Sequence, residues 1–225
     1  MKRVLLGALA LILGSWTAAS AAPAPSDWTG LFAGVVGAYG SANRTGCWNG
    51  GAPSAPNCAT VNTSHLFDYK QTGGLGGIQF GYNWQLKSSL LFGVQADALF
   101  GSVTGTIPSG SSRGTGTWND LLIGTGKLGW TSGPFLLYGD AGFATSTANF
   151  KGYFGCNFSM THAGPVAGAG ASWKLTQMAS VNLEYDHIWL GTQNTACTGA
   201  HTNDDVKTTA NMDILKVGLD FKLSN

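Results

Sequence analysis

Apolar and polar side chains alternate one by one through much of the chain, the mark of strands with one face in an apolar medium. In Gly74–Gln85, Ile78, Phe80, Tyr82 and Trp84 alternate with Gly77, Gln79, Gly81, Asn83 and Gln85. Phe92, Val94, Ala96, Ala98 and Phe100 alternate with Gly93, Gln95, Asp97, Leu99 and Gly101. Val181, Leu183, Tyr185, His187 and Trp189 alternate with Asn182, Glu184, Asp186 and Ile188. Leu215, Val217, Leu219, Phe221 and Leu223 alternate with Lys216, Gly218, Asp220 and Lys222. Four weaker segments carry one face each, blurred by Gly and Ala: Leu31–Tyr39, Leu122–Trp130, Leu137–Phe143 and Ala167–Leu175. None of the eight shows a helical 3.6-residue stripe.

The connections alternate in length. Lys87–Ser89, Ser132–Pro134 and Thr176–Met178 read as tight polar turns. Ser41–Asp68 and the stretches near 106–115, 151–161 and 194–206 read as longer polar loops. Eight up-and-down strands with short turns at one end and long loops at the other predict an all-β, eight-stranded antiparallel transmembrane barrel, with external loops and periplasmic turns. Trp28, Tyr39, Trp84, Phe100, Trp118, Trp130, Phe135, Trp173 and Trp189 fall near strand ends, as interface girdles do.

Composition narrows the picture further. Residues 1–21, with Lys2-Arg3, the apolar run Val4–Leu13 and Ala19-Ser20-Ala21, have the layout of a cleaved signal peptide, leaving 22–225 as one barrel domain. Only 10% of residues are charged, Gly counts 34, and Glu184 is the only Glu. That argues against a helical protein and against an ordinary soluble surface. Without its first 21 residues the chain has a formal charge of −1, which offers no electrostatic footprint for nucleic acid. A charge-poor exported chain without a spanning helix has one way to satisfy its backbone in lipid, a closed barrel.

Several segments resemble a known family. Asp27-Trp28-Thr29-Gly30-Leu31-Phe32-Ala33-Gly34 resembles the opening motif of the Omp25/Omp31-like outer-membrane β-barrel family. Gly76–Gln85 resembles its second strand, and Phe92–Asp97 its third. Lys127–Trp130, Glu184-Tyr185 and Gly218–Phe221 fall where its later motifs stand. The resemblance implies an eight-stranded barrel of Gram-negative outer membranes, with roles in envelope integrity and host-surface interaction, and haem binding in some members. It also implies contact with lipopolysaccharide and with the barrel-assembly machinery. The chain departs from the family at Thr125 and Lys127, where two Arg are usual, at Gln95 in place of an acid, and at its end, Leu223-Ser224-Asn225, where Phe221 stands in for a terminal aromatic.

The candidate chemistry is sparse. Cys47, Cys58, Cys156 and Cys197 all fall in the expected loops, and an even count in an exported chain suggests disulfides. Of three connectivities, Cys47–Cys58 and Cys156–Cys197 is favoured, the first within one loop and the second between loops of neighbouring strands. No CxxC or HxxxH supports a metal site. Gly124–Gly129 matches GxGxxG but leads into a turn, not the helix a dinucleotide needs. Asp97, Lys127, Glu184, Asp186 and Lys216 fall on the inward face and predict a lumen charge network, with Asp140 also among the internal charges and Asp220 and Lys222 read as solvated near the periplasmic end. His187 lies on the lipid face, where lipid A deacylases carry a catalytic His, but Trp189 occupies the position that would need Ser, so no enzyme is expected. His65, His162 and His201, in or beside loops, are the candidates for haem. Eight strands leave room only for side chains inside. The expected role is therefore structural and surface-facing, with a haem or host-ligand receptor and a small-solute channel as alternatives.

Overall fold

The computed structural model describes residues 27–48, 57–60, 66–86, 89–107, 114–153, 156–199 and 205–224. Eight long antiparallel strands form the wall: β1 Gly30–Trp48, β2 Leu66–Gln85, β3 Leu90–Ile107, β4 Gly114–Ser132, β5 Phe135–Tyr153, β6 Cys156–Lys174, β7 Ala179–Ala196 and β9 Asp205–Ser224. A two-residue strand, β8 Thr198–Gly199, pairs only with Cys156–Asn157. Each long strand pairs with the next in sequence, and β1 pairs with β9, so the sheet closes on itself without an edge. No helix among the described residues is long and apolar enough to cross a membrane; the crossing elements are strands.

The outward face is the alternating apolar set. Val35, Ile78, Phe80, Phe92, Leu128, Leu137, Phe143, Leu183 and Val217 are all exposed, most at about half their surface or more. Exposure on that scale is unstable in water and ordinary against hydrocarbon. Trp84 stacks on Phe92, and Phe135 on Trp173, in the girdle at the short-turn end.

The strands are 18 to 20 residues long, about twice what crosses a membrane. Their outer halves reverse the facing chemistry. Outside, threonines pair across the ladder: Thr104 with Thr117 at 3.2 Å, Thr147 with Thr161 at 3.3 Å, and Thr192 with Thr209 at 2.7 Å. Inside, at the same level, Phe67, Val103, Ile107, Trp118, Phe150, Phe158 and Met160 belong to one apolar cluster. The barrel therefore has polar contents where its outside is greasy, and a greasy plug where its outside is polar.

Two sequence expectations need correction. The expected long loops are in part strand: β1 runs to Trp48, β2 begins at Leu66, and β5 and β6 reach Tyr153 and Cys156. Polar residues past the apolar belt mark where the lipid stops, not where pairing stops, because backbone pairing is indifferent to the outward side chain. Cys47 and Cys156 consequently sit in strands, not loops. The signal peptide, residues 1–21, lies outside the described residues.

Candidate functional site

The lumen is built in layers by alternate residues of each strand. Nearest the short turns, Trp28, Leu91, Leu136 and Tyr138 form a small apolar cap. Beside it lies a cleft of about 40 Å³ lined by Trp28, Phe32, Lys127 and Lys222, which is room for water and little else. At this rim Asp27 accepts from the Thr29 amide at 2.9 Å and lies 3.3 Å from Lys222 Nζ. Burial pushes the Asp27 carboxyl up, but the Thr29 hydrogen bonds and the Lys222 charge outweigh it and hold the group below the ordinary 3.8.

The middle layer holds the charges. Lys216 Nζ lies 2.6 Å from Asp97 Oδ2 and 2.8 Å from Asp186 Oδ2, and also pairs with Glu184 Oε1. Glu184 Oε2 accepts from the Tyr138 hydroxyl at 2.6 Å and lies 3.6 Å from Lys127 Nζ. Lys127 donates to Gln95 Oε1 and sits 4.3 Å from the Tyr138 ring centroid. Asp97, Lys127, Glu184, Asp186 and Lys216 are thus brought together from β3, β4, β7 and β9, all nearly inaccessible. Asp140 joins them from β5: oxygens of Asp140, Glu184 and Asp186 lie within 4.8 Å of one another, a donor set of the kind hard cations accept. Four carboxylates here face two ammonium groups. Asp220 is not solvated, as the sequence suggested: it is buried and accepts from Gln79 at 2.5 Å and Asn182 at 2.8 Å. The inward parity of β9 carries it into the tube beside two amides.

The outer layer is the apolar plug, and Arg44 and His162 lie within it. Reading Ser41–Asp68 as a loop hides Arg44, yet the even-numbered parity of Phe32, Val36 and Gly40 continues through Ala42 to Arg44, so extending the period would have found it. His162 was expected in or beside an external loop and is instead fully buried on the inner face of β6. Its Nδ1 lies 3.2 Å from Leu190 O and its Nε2 3.0 Å from Met160 Sδ. It does not face solvent where haem would approach. His65 and His201 lie outside the described residues. Desolvation lets the plug tolerate His162 only with both ring nitrogens occupied.

On the outer wall, His187 Nδ1 and the Tyr185 hydroxyl both reach Asp213 Oδ1 at 2.7 Å, and His187 packs edge-on to Trp189. The three side chains form a hydrogen-bonded cluster on the outer wall. At the rim, the structure joins Cys47 to Cys58 and Cys156 to Cys197, with Cα–Cα separations of 5.4 and 5.3 Å.

Comparison with known proteins agrees with this architecture. The model of the family described as outer membrane protein beta-barrel domain matches residues 7–221. The 31 kDa outer-membrane immunogenic protein of Brucella melitensis is 28% identical over 246 residues, spanning 99% of this chain and 100% of that one. The 22 kDa outer membrane protein of Rhizobium leguminosarum bv. viciae is 32% identical over 127 residues, 56% of this chain and 57% of that protein. Among solved structures, OprG of Pseudomonas aeruginosa superposes with a TM-score of 0.60 at 13% identity, over 89% of this chain and 99% of that one, a likeness of fold.

Proposed function

The chain belongs to the outer membrane protein beta-barrel domain family, in its Omp25/Omp31-like branch, and is an integral protein of the outer membrane; on that premise we propose that it serves as a structural and surface-facing element of the envelope and not as a diffusion channel. The observation that carries this reading is the double closure of the tube. Ion-paired side chains cross the middle layer, and a cluster of large apolar side chains fills most of the outer one. A hydrated solute would have to break the first and wet the second. Each buried charge stripped of its partner would cost several kcal/mol, of order 3–5.

Two further features support a surface role. The strands carry the barrel well beyond the lipid, and threonine ladders suit the wall there to the sugar and headgroup zone of lipopolysaccharide. Disulfides fix the hairpin ends that host molecules would meet. The barrel-assembly machinery would meet the opposite end, where Phe221 faces outward. A haem-receptor role would rest on His65 and His201, since His162 is inside the plug.

Reconstitution in planar bilayers tests the reading. A folded, correctly inserted barrel should show no discrete conductance steps. Regular steps from protein that passes a folding check would overturn it in favour of a channel.

A further inference from the structure

Among the described residues, Arg44 is a buried charge that the middle-layer network does not absorb. It is fully buried on β1, and among the described residues it makes no ion pair. Its guanidinium carbon lies 4.4 Å from the Trp118 ring centroid and 4.3 Å from that of Phe150. Those rings attract the charge but cannot accept its in-plane N–H groups. Nη1 has weak partners, Thr208 Oγ1 at 3.4 Å and Met160 Sδ at 3.9 Å. Nε and Nη2, the two nitrogens that form the side-on fork, are buried and have no hydrogen-bond partner. That fork is the edge by which arginine grips both oxygens of a carboxylate.

Two more buried donors nearby are likewise without partners, the Tyr69 hydroxyl and Gln71 Nε2. They stand side by side. A Cβ added to Gly116 would collide with the Tyr69 hydroxyl and lie 3.0 Å from Gln71 Nε2 and 2.7 Å from the Phe150 ring. Gln71 is held in this orientation because its Oε1 accepts from Trp118 Nε1 at 3.0 Å. Four buried donor atoms and one permanent positive charge therefore lie close together, and among the described residues no acidic side chain pairs with them. The excess carboxylates of the middle layer can take up protons, whereas a guanidinium cannot shed one in a protein. An anion beside it would meet a charge that no acidic side chain pairs among the described residues.

We propose that Arg44, with Tyr69 and Gln71, forms a binding site for a small planar monoanion of the carboxylate or bicarbonate type. The fork takes two oxygens and the hydroxyl and amide cap them. One negative charge balances the one positive charge, and a flat ion would lie in the plane of a guanidinium held against the Trp118 and Phe150 rings. Because these residues come from β1, β2, β4 and β5, a bound anion would tie four strands together inside the outer plug.

The test uses the full barrel refolded in detergent. Sodium formate replaces sodium gluconate at constant ionic strength, and the thermal unfolding midpoint is followed by tryptophan fluorescence and by gel shift. The wild type should show a saturable rise with formate that gluconate does not give. Arg44→Met, which keeps an unbranched side chain between the rings, should lose the response entirely. Tyr69→Phe, which deletes one donor and keeps the ring, should respond with a half-saturating concentration about five- to tenfold higher. If Arg44→Met does not fold, Tyr69→Phe and Gln71→Leu carry the comparison. Equal responses to formate and gluconate in the wild type overturn the site, as does a formate response that these substitutions leave unchanged. A larger effect of inorganic phosphate than of formate at the same ionic strength overturns the assignment to a planar monoanion.

Discussion

Single residues in this barrel matter through the medium their side chains meet. Val217 faces hydrocarbon and is 57% exposed to it. Val217→Arg should destabilise the barrel by about 2–4 kcal/mol in reversible unfolding from lipid, while an equivalent change at Thr209, beyond the apolar belt, should cost far less. Lys216 touches three carboxylates from β3 and β7. Lys216→Met removes their common counter-charge and should cost roughly 3–5 kcal/mol in the same measurement. Gly168 permits the close approach of two acids: a Cβ there would collide with Asp186 Oδ1 and stand 2.9 Å from Asp140 Oδ1. Gly168→Ala should therefore displace the middle layer, despite adding only a methyl group. At the periplasmic rim Asp27 has its carboxyl held below the ordinary 3.8 by Thr29 and Lys222. A depressed carboxyl contributes stability above its unfolded value and loses it as pH falls through the folded one. The contact of Asp27 with Lys222 should accordingly persist at neutral pH and fade only below about pH 4, as followed by the loss of its pH dependence in Asp27→Asn.

At the scale of strands, the informative feature is the change of facing along each one. Period-two alternation holds on either side of an interruption in strands such as β3 and β7, and the polar face moves from inside to outside as the strand leaves the lipid. Bulges fall near the change in several strands, among them Phe100/Val103 in β3 and Trp189/Gly191 in β7, where Gly191 has φ 68°. A bulge admits an extra residue and lets the inner set be re-aimed. Above it, the wall depends on the apolar plug and on the disulfides. Cys156–Cys197 closes 41 residues and Cys47–Cys58 closes 11. By loop-closure entropy they contribute about 4 and about 3 kcal/mol respectively. Replacing the Cys156–Cys197 pair by serine should lower stability more than replacing Cys47–Cys58, as read from urea unfolding in lipid with both variants compared under oxidising conditions.

For the whole molecule, closure between β1 and β9 removes the last sheet edge, and with it the most accessible route to unfolding in detergent. The folded protein should resist SDS and migrate differently on gels until boiled. Co-migration of boiled and unboiled outer-membrane material would contradict a closed barrel. Closure also explains how much could be read beforehand. The facing of Ile78 through Trp84, of Phe92 through Phe100 and of Leu215 through Leu223 was legible because lipid acts on each strand separately. The strand ends were not, since nothing in a polar side chain distinguishes a paired residue outside the lipid from a loop. The same polarity of the flanking residues hides the inward placement of His162 and Arg44.

The alternation of single residues by itself determined that eight segments would be strands and which side of each would meet hydrocarbon, because both depend on neighbours one and two positions away. Which inward groups meet was decided by the tertiary structure. Lys216 finds Asp97 across 119 positions, and Arg44 finds Thr208 across 164, because the register of the closed sheet sets those distances. Pairings inside a tube are a property of its circumference, and no stretch of the chain contains the circumference.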